Sequence, residues 1–223
     1  MNVKLFFQAI TKFILGVFII SLLLFIPAKT INYWNGWLLM GLLFIPMFIA
    51  GVIMMVKAPE LLRKRLNVKE KENEQKNVIA LSGLMFLVGF IIAGLNYRYR
   101  WIVIPNIVVI ISSIIFLISY ILYAEVLREN AYLSRTVEIQ ENQKVVDTGL
   151  YGIVRHPMYA VTILLFLSMP LILGSIISFM IFLVYPLIIA KRIKNEEKVL
   201  EKELIGYLEY KQKVKYKVIP FIW

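Results

Sequence analysis

Two short stretches of this 223-residue sequence hold side chains suited to chemistry. The first, Arg155-His156-Pro157-Met158-Tyr159, opens an apolar run. Proline at a first helical position marks a helix start, where unpaired N–H groups and a partial positive charge suit a carboxylate or phosphate. Arg155 adds a fixed cation there, and Tyr159 falls on the same first turn. The second stretch, Arg192-Ile193-Lys194-Asn195-Glu196-Glu197, leaves an apolar run. Arg192 and Glu196 are four apart and share a helical face. Taken singly, each has a plain reading. Arg155 and His156 anchor a helix among headgroups, and Arg192 with Glu196 makes a surface ion pair of about 0.3–0.5 kcal/mol. Taken together, paired carboxylates facing a basic helix start offer opposite charges to a zwitterionic ligand.

What lies between them decides whether they meet. Residues 158–190 form an apolar run of 33 residues, about 50 Å as one helix and too long for a ~30 Å bilayer core. Pro170 and Gly174-Ser175 near its middle break a helix cheaply. The spacing predicts a hairpin of two helices, roughly Met158–Leu173 and Ile176–Ala190, with both charged ends at one membrane face.

The rest of the chain supports a membrane setting. It is 60% hydrophobic, with a mean hydropathy of +0.77. The apolar residues cluster in Leu5–Ile26, Trp37–Val56, Val78–Leu95 and Trp101–Tyr123, each close to the ~20 residues that a span needs. The expected fold is all-α: a polytopic membrane bundle of about six helices, the last two a hairpin, plus an amphipathic C-terminal helix over 196–214. In one membrane domain, residues 1–123 supply four helices and residues 146–223 the site-bearing core. The loop at 57–77 is expected to hold a short helix at Pro59, and Lys12 to snorkel or face the bundle. Tyr33 to Trp37 reads as an interfacial turn, and 219–223 as an interfacial apolar plug.

The net charge of +11 is a topology signal, because it sits in the loops. With a cytoplasmic N-terminus, 21 of the 25 Lys and Arg lie on the cytoplasmic side and 3 outside, with Lys12 inside a span. Both termini are therefore expected in the cytoplasm, and nucleic acid is not an expected partner. Cysteine is absent and His156 is the only histidine. This excludes disulfides, thiolate chemistry and any metal site built on several histidines.

In order and spacing, the last 75 or so residues resemble the isoprenylcysteine carboxyl methyltransferases and related phospholipid methyltransferases. The pattern is Gly149-x-Tyr151, Arg155-His156-Pro157-x-Tyr159, a hairpin, Arg192-x-x-x-Glu196-Glu197-x-x-Leu200, Tyr207-x-x-Tyr210 and Ile219-Pro220. The resemblance implies S-adenosylmethionine as cofactor, held at the cytoplasmic helix ends without a Rossmann domain. It implies that His156, Tyr159 and Glu197, with Arg155 and Tyr207, line the cofactor pocket. Arg192 and Glu196 would lie beside the transferred methyl and the substrate head. The acceptor would be the head group of a lipophilic small molecule or lipid, a carboxylate with an amine as the alternative. One departure is that Gly206 abuts Tyr207, where many relatives carry acidic residues between.

Two other readings compete. An NADPH-dependent membrane reductase of the steroid or sterol type has a similar C-terminal end, but there the proline is followed by Asn-Tyr and then Gly-Glu. Here Met158-Tyr159-Ala160-Val161 follows. A non-catalytic transporter or assembly factor should carry ionisable groups along its spans, and apart from Lys12 these spans do not. The richness in Ile, Lys and Asn suggests an AT-rich, bacterial genome and hence a bacterial cell membrane, where a prenylated protein is not the expected substrate.

Overall fold

The computed structural model describes residues 3–66, 73–130, 132–133, 139 and 141–223. Among these the chain is helical, with no strand. Four long helices come first: α1 (Val3–Ala28), α2 (Trp34–Lys57), α4 (Asn73–Tyr99) and α5 (Asn106–Glu129), with the short α3 (Pro59–Leu66) between α2 and α4. A 3-10 turn (Gly149–Gly152) leads to α6 (Pro157–Ile172), α7 (Ile176–Phe182), α8 (Tyr185–Glu203) and α9 (Tyr207–Lys213). Four of the helices, and the α7–α8 segment as a fifth, are long and apolar enough to cross a membrane; α6 is apolar but shorter. The expected six-span bundle ending in a hairpin is what forms. One core joins both halves, from Leu24, Leu39 and Phe90 through Phe116 to Met169, Ile189 and Val218.

The hairpin turns at Leu173–Ser175, and its carbonyls would be stranded in hydrocarbon if left unpaired. Tyr33 Oη donates to Leu173 O (2.6 Å), Asn35 Nδ2 to Ile172 O (2.8 Å) and Asn96 Nδ2 to Gly174 O (3.2 Å). Gly174 takes a positive φ of 76° there, which glycine adopts without strain. Side chains from α2, α4 and the loop before α2 thus replace water at the tip. This is why α6 can stop after 16 residues, about 24 Å.

Several boundaries differ from the sequence reading. The fourth long helix starts at Asn106, not Trp101: Pro105 is extended (φ −62°, ψ 145°), and Asn96 holds Ile102 by both N–H and carbonyl. The sixth span is not one helix. Pro186 lacks the N–H that would reach Phe182 O, and the chain turns at Leu183–Val184 before α8. Past the membrane, α8 runs on to Glu203, so Arg192, Glu196 and Glu197 sit within it. The tail helix is likewise divided, because Gly206 adopts φ 85° between α8 and α9. Residues 219–223 turn back on themselves with Phe221 and Ile222 exposed. Lys12 faces the bundle and donates to Leu66 O, capping the end of α3. Pro59 opens α3 as expected; residues 67–72 of that loop lie outside the described residues.

Helix α4 packs against α7 at Gly89, where an added Cβ would collide with the ring of Phe182. That ring is fully buried and boxed in by Phe86 (5.2 Å) and Phe90 (6.0 Å). Gly89→Ala is expected to cost about 1–3 kcal/mol by overpacking. The check is a lowered melting temperature in detergent, and an unchanged one would mean that α4 and α7 are not in close contact.

Candidate functional site

The site begins where α5 ends. The Glu129 carboxylate accepts from Leu150 N (3.0 Å) and occupies the space a side chain at residue 149 would need. Gly149 is therefore required for lack of a Cβ as well as for its φ of 52°. Asn130 Nδ2 donates to Tyr151 Oη (3.0 Å), and Tyr210 Oη from α9 donates to Tyr151 O (2.7 Å). Gly149-x-Tyr151 is thus a clasp between α5, the start of α6 and the tail.

The next turn brings in the C-terminal segment. Arg155 N donates to Tyr216 O (2.9 Å) and His156 N to Lys217 O (2.8 Å), so the tail occupies donors that a helix start would offer an anion. The Arg155 guanidinium is buried. It reaches Glu197 Oε1 (2.9 Å) through Nε, and Val214 O (2.7 Å) and Lys215 O (2.8 Å) through Nη1. Glu197 receives three partners: Arg155, His156 Nε2 (3.3 Å) and Lys217 Nζ at Oε2 (2.8 Å). A carboxylate this buried is tolerable only with such pairing.

A second cluster lies beside it. Arg192 Nε donates to Tyr159 Oη (2.8 Å), and that hydroxyl donates to Glu196 Oε2. Tyr159 is buried, its ring 5.8 Å from that of His156 and under the Arg192 guanidinium. Helix α6 thereby carries His156 to Glu197 and Tyr159 to Glu196, as the hairpin requires.

Between these clusters and the tail is a cavity of about 90 Å³. It is lined by Tyr151, Arg155, His156, Met158, Tyr159 and Glu196, by residues 143–146, and by Leu204, Tyr207 and Tyr210 of the tail. The Tyr207 side chain is buried, yet its hydroxyl has no hydrogen-bond partner. Burial first, and the nearby Glu197 charge second, push its pKa far above the usual phenol range. Tyr210 is raised for the same first reason. Both are neutral donors. At the rim, Lys213 pairs with Asp147 (2.7 Å) and holds that carboxyl below its ordinary value.

Residues 109–202 match the isoprenylcysteine carboxyl methyltransferase (ICMT) family. The match points to a membrane methyltransferase, and the resemblance read from the sequence is borne out. It runs from the first turn of α5 almost to the end of α8, and leaves out α1–α4, Tyr207 and the tail. No curated protein matches the chain.

Of the residues singled out in the sequence, Arg155, His156, Tyr159, Glu196 and Tyr207 line the cavity. Arg192 reaches it through the Tyr159 hydroxyl. Glu197 stands behind the wall and holds Arg155 and His156 in place. The sequence reading did not find Lys217, Glu129 or Asn130, since one lysine among many and two polar residues at a helix end carry no pattern. Among the described residues no group of acids and histidine could hold a metal ion.

Removing the Arg155 side chain leaves Glu197 under-compensated and unties residues 214 and 215. Arg155→Ala is expected to cost about 3–5 kcal/mol and to expose the segment after Glu203 to protease. Lys217→Ala, which removes a partner of Glu197 whose side chain is 27% exposed, should cost far less. Melting curves and mapping of the first cleavage sites in detergent check both. Equal effects would mean that the buried pair does not hold the tail.

Proposed function

We propose that this protein transfers a methyl group from S-adenosylmethionine to the head group of a lipophilic substrate, a carboxylate before an amine, at the cytoplasmic membrane face. The observation that carries this reading is the cavity between the ICMT-like segment and the tail, where a carboxylate and a buried, unpartnered tyrosine hydroxyl border one space.

The lining suits this cofactor's charges. Glu196 and the rings of Tyr159, His156 and Tyr207 fit positive centres such as a sulfonium and an ammonium. The Tyr207 hydroxyl is a donor in need of an acceptor, and Lys144 is an exposed cation in the lining. Arg155 is engaged by Glu197 and the tail, so its part is to hold the wall. When bound, the cofactor supplies an electrophilic methyl group.

The chain's own residues do the rest by positioning and by excluding water. Tyr159 fixes Arg192 and Glu196 relative to each other. Arg192 orients an acceptor carboxylate, a group that guanidinium can hold bidentately and that needs no general base when ionised. With an amine acceptor, Glu196 takes the proton. Leu200, Leu204, Val145 and Tyr210 add apolar lining on the tail side of the cavity. The lipophilic part of the substrate stays between helices while its head reaches the site. The excess of Lys and Arg on this side supports a cytoplasmic position for this face and for both termini, and the richness in Ile, Lys and Asn supports a bacterial cell membrane.

Detergent-purified protein should bind S-adenosylmethionine or its demethylated product with measurable heat, and NADPH should give none. Tyr207→Phe is expected to weaken that binding about three- to tenfold, the net worth of one hydrogen bond. Heat from NADPH alone would favour the reductase reading. Arg192→Ala should retain cofactor binding while stopping label transfer from the methyl donor into a total lipid extract. Loss of both would refute the division of roles.

A further inference from the structure

Helix α8 has a second face, turned away from the site. Residues 187, 191, 194, 198 and 202 recur every three or four positions and fall in one stripe. Leu187 is 71% exposed and continues the lipid-facing surface of Met180, Leu183 and Val184. The other four positions are all lysine, and all four are exposed. None of the four makes an ion pair among the described residues. Of the four acids of this helix, Glu196 faces the cavity, Glu197 is buried against Arg155, Glu201 is bridged to Lys211 of α9, and Glu203, at the last residue, is exposed about 100° round the helix from Lys202.

We propose that this face of α8 binds anionic phospholipid headgroups through Lys191, Lys194, Lys198 and Lys202. At 1.5 Å per residue, Lys191 and Lys194 stand about 6 and 10 Å beyond the lipid-exposed Leu187, at the depth of the phosphates. Lys198 and Lys202 follow within about a Debye length of that layer. Acyl chains pack on the apolar part of the stripe, and the phosphates meet cations that no protein carboxylate neutralises. Arg192 and Glu196 lie on the inner side of the same helix, so bound lipid fixes the depth of the site. The proposal does not depend on which membrane face this is, nor on the reaction catalysed.

The test uses the full chain in detergent, with no methyl donor. Native mass spectrometry follows titration with phosphatidylglycerol, phosphatidylcholine and inorganic phosphate. Phosphatidylglycerol is expected to bind at least about tenfold more tightly than phosphatidylcholine, because its headgroup carries a net negative charge for the lysines to meet. Changing all four lysines to glutamine should abolish the preference, and changing all four to arginine should keep it. Melting temperatures of both variants guard against misfolding. Equal binding of the two lipids, or a preference that survives the glutamine variant, would overturn the proposal. Binding of inorganic phosphate as tight as that of the anionic lipid would also overturn it, because the apolar part of the stripe would then contribute nothing.

Discussion

A carboxylate removed from water must be surrounded by donors, and Glu197 is surrounded from three separate parts of the chain. Arg155 and His156 come from the start of α6, Lys217 from the tail, and Glu197 itself from α8. The Arg155 guanidinium carries the constraint outward to the carbonyls of residues 214 and 215. The pairing therefore acts as a keystone. It sets the distance between the two hairpin ends and ties the C-terminal segment across them, and the cavity is the space left between. A hydrophobic replacement of similar volume can be as stable as such a pair. What an apolar core would lack is direction: a guanidinium with fixed donors sets the angles at which three segments meet.

The bilayer imposes the complementary constraint at the other end of the hairpin. Backbone groups at the tip have no water to turn to, so they are met by Tyr33, Asn35 and Asn96. A tip held this way has its carbonyls paired within the protein, which lets a helix as short as α6 end there. Close approach of α4 at Gly89 and Gly94 completes the arrangement: Ser178 Oγ donates to Gly89 O (2.8 Å), and at Gly94 the backbone of α1 approaches α4 too closely for a side chain. The reactive end is thus positioned from both ends, by charge pairing on one side and by backbone satisfaction on the other.

Hydropathy made the bundle legible, because a lipid-facing helix must be apolar along its length. Pro170 and Gly174 made the hairpin legible, because they interrupt a run too long for one span. Neither signal reaches the breaks that depend on a single missing donor. Pro186 lies in an apolar run that reads as continuous, and its effect appears only in the turn at Leu183–Val184. Gly206 looks like any loop glycine until its positive φ divides α8 from α9. The tail was least legible. Its contribution to the site is made largely by backbone carbonyls, which every residue has and no sequence pattern marks.

Glu196 and Glu197 show the limit most clearly. Adjacent residues on a helix point about 100° apart, so twin glutamates cannot both face one pocket. The sequence supplies two carboxylates of equal chemistry and gives no reason to prefer either. The fold separates them: Glu196 meets the Tyr159 hydroxyl on the cavity wall, while Glu197 is buried against Arg155, His156 and Lys217. One faces the cavity and the other holds its wall. The arginines divide in the same way, Arg155 held by the tail and Arg192 by Tyr159. Each charge type is thus supplied twice: the tail saturates the inner pair, while the Tyr159 hydroxyl ties Arg192 and Glu196 to each other beside the cavity.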